Sequence, residues 1–152
     1  MQLSALGLEL IKKSEGFRGR TYLDVAGFPT IGYGHRLLPQ EAFPHGISAT
    51  QAEQMLARDV CGAEQAVGRL VKVPLTQNQF DALVDFCFNL GPGCLASSTL
   101  LKALNGGRYD DAGAQLLRWD IAAGEENAGL KARREAEHQL WGDDRAAETA
   151  VA

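Results

Sequence analysis

Between Ser14 and His35, in the run SEGFRGRTYLDVAGFPTIGYGH, helical periodicity stops and a glycine-punctuated β pattern takes over. Upstream, Leu3, Leu6, Leu10 and Ile11 recur at helical spacing, so residues 3 to about 14 read as a short amphipathic helix ended by Gly16 and Gly19. Downstream, Thr21, Tyr22, Val25, Phe28, Thr30, Ile31 and Tyr33 lie among glycines 27, 32 and 34, the composition of a hairpin or small sheet. The switch leaves Glu15 at a helix end, Asp24 on the hairpin after eight intervening residues, and Thr30 after five more. An acid on a helix facing an acid and a hydroxyl on a hairpin is one way to build a hydrolytic cleft. Two carboxyls flanking a bond, one protonated and one ionised, are what glycoside hydrolysis requires.

The rest of the chain is predominantly helical in pattern. Residues 37–47, with two prolines and a glycine, read as a loop. Ser48-x-x-Gln51 is a capping box, and beyond it Ala52, Met55, Leu56, Val60, Ala63, Val67 and Leu70 keep one apolar face. This predicts one long helix joining two lobes, although Gly62 and Gly68 each weaken it by about 1 kcal/mol relative to alanine. Thr76-x-x-Gln79 is a second capping box, and the following Phe80 to Leu90 is apolar nearly all round, as a central buried helix would be. A short helix capped by Ser97 or Ser98 is expected to close at Gly106-Gly107, another to run from about Asp110 to Trp119, and a last one from near Leu130 to Trp141. The fold class predicted is α+β and mainly helical, as one domain over residues 1–142. It comprises a small hairpin lobe at about 15–47 and a helical lobe at about 48–142 that includes the N-terminal helix. Residues 143–152 read as a frayed tail.

Charge and cysteine content exclude several partner classes. The net charge of −4 argues against nucleic acid, yet residues 1–36 carry five basic against three acidic side chains, a local polarity suited to an anionic polymer. Cys61, Cys87 and Cys94 are odd in number and lack metal-ligand spacing, so they read as buried free thiols, the less favoured alternative being a Cys87–Cys94 bridge across a short loop of Gly91, Pro92 and Gly93, and no metal or cofactor is called for. No apolar run approaches a membrane span, and the amphipathic N-terminus lacks signal-peptide architecture. The expectation is a monomer made in the cytoplasm that reaches an extracytoplasmic substrate only after release by something else.

Read singly, the three motif residues are ordinary. Glu15 is a charge near a helix end, Asp24 a turn residue, Thr30 a β-branched strand residue. Jointly, their spacing and the flank Ile31-Gly32-Tyr33-Gly34-His35 resemble the catalytic signature of the phage-type lysozymes, the endolysin family (glycoside hydrolase family 24). The segments FDALVDFCFNLG at 80–91, SSTLLKALNGGRYDDA at 97–112, LLRW at 116–119 and GLKARREAEHQLW at 129–141 are similar to that family's helical lobe, so the likeness extends to Trp141.

The resemblance implies hydrolysis of the β-1,4 bond between N-acetylmuramic acid and N-acetylglucosamine in bacterial peptidoglycan. It implies Glu15 as general acid, Asp24 and Thr30 as holders of the attacking water, inversion at the anomeric carbon, and a two-lobed lysozyme fold. It also makes Phe88 and Asn89 cleft-facing positions, where a ring and an amide suit N-acetyl groups. Gly32 and Gly34 are candidates for close approach of sugar to backbone. Arg133 and Arg134 are candidates for the peptide carboxylates, although Arg133 with Glu137 also makes an ordinary i,i+4 pair. His35 is expected to orient the hairpin through a hydrogen bond, and Trp119 and Trp141 to be packing aromatics. The chain is acidic where many members of that family are basic. Competing readings are a lytic transglycosylase, which needs no positioned water, a non-catalytic glycan-binding domain, and a toxin sharing the same chemistry.

Overall fold

The first helix, α1 (Ala5–Glu15), starts where Ser4 accepts the Gly7 N–H on its hydroxyl and ends at Gly16, whose positive φ of 73° no other residue adopts cheaply. The computed structural model describes residues 1–143, so the tail predicted to fray lies almost entirely outside the described residues. Three antiparallel strands follow, β1 (Arg18–Leu23), β2 (Pro29–Gly32) and β3 (His35–Arg36), in the order β1-β2-β3. Their register pairs Tyr22 with Thr30, Thr30 with Arg36, and Ile31 with His35. Residues 37–47 form the expected loop, and Ser48 and Gln51 close the predicted capping box at the head of α2 (Ala49–Asp59).

The long helix expected from Ser48 onward is two helices. After Asp59 the chain turns at Val60, and α3 spans Cys61–Leu70. Val60 has φ −74° and ψ −16°, close enough to helical values that the apolar stripe runs on through the break. Periodicity alone therefore does not reveal it. The two halves of that stripe serve different cores, because the chain divides into two compact units: Ile11–Cys61, and Met1–Leu10 together with the chain from Gly62 onward.

In the Ile11–Cys61 unit, Ile11, Ile31, Ala52, Met55, Leu56 and Val60 are buried, and α2 packs on β2. Gly32 allows this close packing, since a Cβ there would lie 3.2 Å from that of Ala52.

The other unit is helical. Its central element, α4 (Gln77–Leu90), opens on the predicted Thr76–Gln79 box and is buried from Phe80 to Cys87. The remaining helices are α5 (Pro92–Ser97), α6 (Thr99–Asn105, capped by Ser98), α7 (Tyr109–Leu116) and α8 (Ala128–Gly142). Trp141 is buried against α7, where a Cβ on Gly113 would lie 2.6 Å from the indole, and its N–H donates to the Tyr109 carbonyl at 3.1 Å. Trp119 meets Phe86 edge-on at 5.5 Å, so both tryptophans are packing aromatics.

Two elements escape the sequence pattern. Helix α5 hides in a Gly-Pro-Gly string that reads as loop, but Pro92 suits a helix's first turn and Leu95 is buried. A two-residue hairpin, β4 (Ile121–Ala122) with β5 (Glu125–Glu126), turns on Ala123 and Gly124, both with positive φ. The three cysteines are unpaired, but only Cys87 is buried; Cys94 is half-buried and Cys61 exposed. No helix among the described residues is long and apolar enough to cross a membrane.

Candidate active site

Glu15 is the last residue of α1, and its carboxyl lies against the turn joining β2 to β3. A Cβ built on Gly34 would stand 2.9 Å from Glu15 Oε2, and Gly34 has φ +75°. The turn thus admits the carboxyl only because residue 34 has no side chain. Tyr33 in the same turn packs on Phe17 at 5.6 Å and lies under the Lys12 ammonium at 5.7 Å.

Asp24 begins the turn between β1 and β2, and its carboxylate organises that turn. Oδ1 accepts the backbone N–H groups of Ala26 and Phe28, both at 2.9 Å, while Oδ2 accepts Nε–H of Arg36 at 3.0 Å. The Asp24 N–H in turn donates to the Phe28 carbonyl at 2.9 Å. The Phe28 N–H, followed by that of Ala26 and the Arg36 guanidinium, holds the Asp24 carboxyl below its ordinary pKa against a smaller opposing effect of burial. Asp24 is therefore ionised at neutral pH.

Thr30 is buried at the centre of β2, and its hydroxyl donates to the Phe28 carbonyl at 2.9 Å. A threonine hydroxyl has one proton. With that proton engaged, Thr30 can only accept from a further neighbour. The three residues singled out by spacing thus lie in one structural unit: a carboxyl at a helix end, a carboxylate that can only accept, and a hydroxyl left as an acceptor. A water meeting the last two would present both its protons to protein oxygens and keep a lone pair for attack.

His35 is engaged through both ring nitrogens. Its Nδ1 meets Asp59 Oδ2 at 2.8 Å and its Nε2 meets Glu41 Oε1 at 3.1 Å, which tethers β3 to α2 and to the following loop. Burial opposes the ring's charge, but hydrogen bonds to Asp59 and then Glu41 outweigh it and raise the His35 pKa.

The candidates in the helical unit pack among protein partners. Phe88 is half-buried against the core, and Asn89, also half-buried, accepts Nη2–H of Arg134 on Oδ1 at 2.6 Å. Arg133 and Arg134 do not form a solvent-facing basic patch. Arg133 is buried and paired with the buried Asp85, Nη2 to Oδ1 at 2.7 Å. Arg134 is wholly buried, 3.1 Å from Glu137 and stacked over Phe86. Burial, then the neighbouring Asp85 carboxylate, pushes the Glu137 carboxyl well up. The i,i+4 surface pair predicted for Arg133 and Glu137 is replaced by these buried partners, because α8 turns both arginines toward α4. Similarly, Gly32 and Gly34 both approach protein closely, Ala52 in one case and Glu15 in the other.

Spacing alone overlooked Arg36 and Phe28. The available signal was the hairpin register, which sets Arg36 opposite Thr30.

The phage lysozyme family model matches residues 12–137. An endolysin of Bacillus phage B103 is 42% identical over 144 residues, covering 93% of this chain and 54% of its own, so the chain spans about half the length of that relative. An endolysin of Salmonella phage P22 is 38% identical over 144 residues, covering 93% of this chain and 98% of its own. The solved endolysin of Escherichia coli O157:H7 phage FAHEc1 superposes with a TM-score of 0.86 at 39% identity, covering 94% of each chain.

Proposed function

This chain belongs to the phage lysozyme family, and we propose that it is a muramidase hydrolysing the β-1,4 bond between N-acetylmuramic acid and N-acetylglucosamine in bacterial peptidoglycan. Glu15 protonates the glycosidic oxygen as the bond to the anomeric carbon breaks. A water accepted by Asp24 and Thr30 attacks that carbon from the opposite face and passes its proton to Asp24, so the anomeric configuration inverts. Solvent returns a proton to Glu15 and takes one from Asp24, and the site is reset. The observation that carries this reading is the hydrogen-bond polarity around the Phe28 peptide. Its carbonyl engages the Thr30 proton and leaves that hydroxyl, like the ionised Asp24, an acceptor, which suits a water that donates to both. The protein works as a monomer on cell-wall glycan.

The test is mass spectrometry and proton NMR of purified peptidoglycan digested by wild type, Glu15→Gln and Thr30→Val. Reducing muramic ends of inverted configuration are expected from wild type. Glu15→Gln should lose about 10²–10⁴-fold in rate, the usual worth of a general acid. Thr30→Val should fall strongly while still folding. Anhydro-muramic ends would make the protein a transglycosylase, retained configuration would make Asp24 a nucleophile, and a fully active Glu15→Gln would remove Glu15 from the chemistry.

A further inference from the structure

We infer that Arg36, stacked on Phe28, is a positioning residue that aims the one free lone pair of Asp24 at the attacking water; this rests on the muramidase reading above. A carboxylate offers about four acceptor positions, two on each oxygen. On Asp24, Oδ1 already takes two backbone N–H groups, from Ala26 and Phe28. On Oδ2, Arg36 Nε–H takes one position at 3.0 Å. The position left over on Oδ2 is the one available to receive a proton from water. Its direction is fixed from two sides, by the turn backbone through Oδ1 and by Arg36 through Oδ2.

Arg36 is well placed for this task. It sits on β3 directly across from Thr30, so the two side chains project from the same face of the sheet. Its guanidinium lies 4.4 Å from the centroid of the Phe28 ring, which holds the plane of a long and half-exposed side chain. Phe28 therefore acts three times: its N–H holds Oδ1, its carbonyl takes the Thr30 proton, and its ring carries Arg36. Arg36 is the charged side chain that bears on Asp24 among the described residues, the remaining partners being backbone N–H groups. A guanidinium is always protonated and only donates, so it can never compete with water for the proton that Asp24 receives.

An ordinary surface ion pair would contribute little to stability and nothing to rate. The two roles separate in the kinetics. Steady-state rates on soluble peptidoglycan fragments across pH 3–9 would be compared for wild type, Arg36→Met, Arg36→Lys, Phe28→Leu and Asp24→Asn. Arg36→Met should lower kcat about three- to tenfold with KM within about twofold and a thermal midpoint within about 2 °C, the loss expected for a single charge-assisted hydrogen bond at a partly exposed site. Its acid limb should move to higher pH, because Asp24 loses a cation that favours its charge. Arg36→Lys should restore the acid limb but only part of kcat, since an ammonium keeps the charge without the planar donor. Phe28→Leu, with its backbone hydrogen bonds intact, should fall between wild type and Arg36→Met. If Arg36→Met keeps the wild-type kcat and acid limb while Asp24→Asn is inactive, Arg36 is only a surface pair and this inference fails alone. A raised KM at unchanged kcat would make Arg36 a substrate-binding residue instead. A fully active Asp24→Asn would remove the underlying reading as well.

Discussion

Gly34→Ala separates the fold's need for glycine from the site's need for it. Two effects act at this position. Its φ of +75° lies in the left-handed region, where an L side chain costs roughly 1–2 kcal/mol. The new methyl carbon would also stand 2.9 Å from Glu15 Oε2, well inside van der Waals contact. That oxygen is the far end of a flexible side chain, so the clash is relieved by moving the carboxyl and adds little to the cost in stability. The price is instead functional: a displacement on the order of 1 Å in a reacting group costs about 10²-fold in rate. Gly107→Ala supplies the control, with φ +77° and nothing within 4 Å of the added carbon. Both variants should lose roughly 2–8 °C in thermal midpoint, at about 2–4 °C per kcal/mol for a chain of this size. Only Gly34→Ala should lose activity, by about two orders of magnitude in kcat on soluble peptidoglycan fragments. Equal activity in the two variants, whether both high or both low, would refute the contact with Glu15 as the reason for glycine at this position.

Two further outcomes follow from the ion pairs. Arg133→Met leaves the Asp85 carboxylate, which is inaccessible to solvent, without its guanidinium, so it should destabilise the protein by roughly 3–5 kcal/mol in chemical denaturation; a loss below about 1 kcal/mol would show that the pair does not support the helical unit. His35 has a raised pKa, so its contribution is complete below its ordinary value of 6.5 and is lost as pH rises through the folded value, whereas Glu41, lowered chiefly by its bond from the Leu38 N–H, contributes above its ordinary 4.5 and is lost as pH falls through its folded value. The stability gap between wild type and His35→Gln should therefore be widest between about pH 4.5 and 6.5 and narrow toward pH 9, and a gap that stays flat over that range would exclude a charged His35.

Much of the molecule was legible in one dimension because its determinants are local. The capping boxes at Ser48 and Thr76 act over three residues, and both form as read. The glycines after Glu15 and around Tyr33 announce backbone that only glycine adopts readily, and the helix end and the strand turn fall there. The candidate site could be singled out for the same reason: Glu15, Asp24 and Thr30 lie within sixteen residues of chain and in one compact unit. Other features depended on what each side chain meets across space. The stripe from Ala52 to Leu70 looks continuous because Val60 breaks the helix at near-helical angles, and only the existence of two separate cores makes it two helices. The partners of Arg133 and Arg134 were not legible, because it is the packing of α8 on α4 that supplies Asp85 to one and Asn89 to the other. Arg36 reads as one more exposed cation until the strand register carries it across β2 to Asp24. Caps, turns and closely spaced motifs are written in the chain because neighbours in sequence satisfy them. Burial of charge and the aim of a carboxylate's lone pair are decided by residues brought together only when the chain folds.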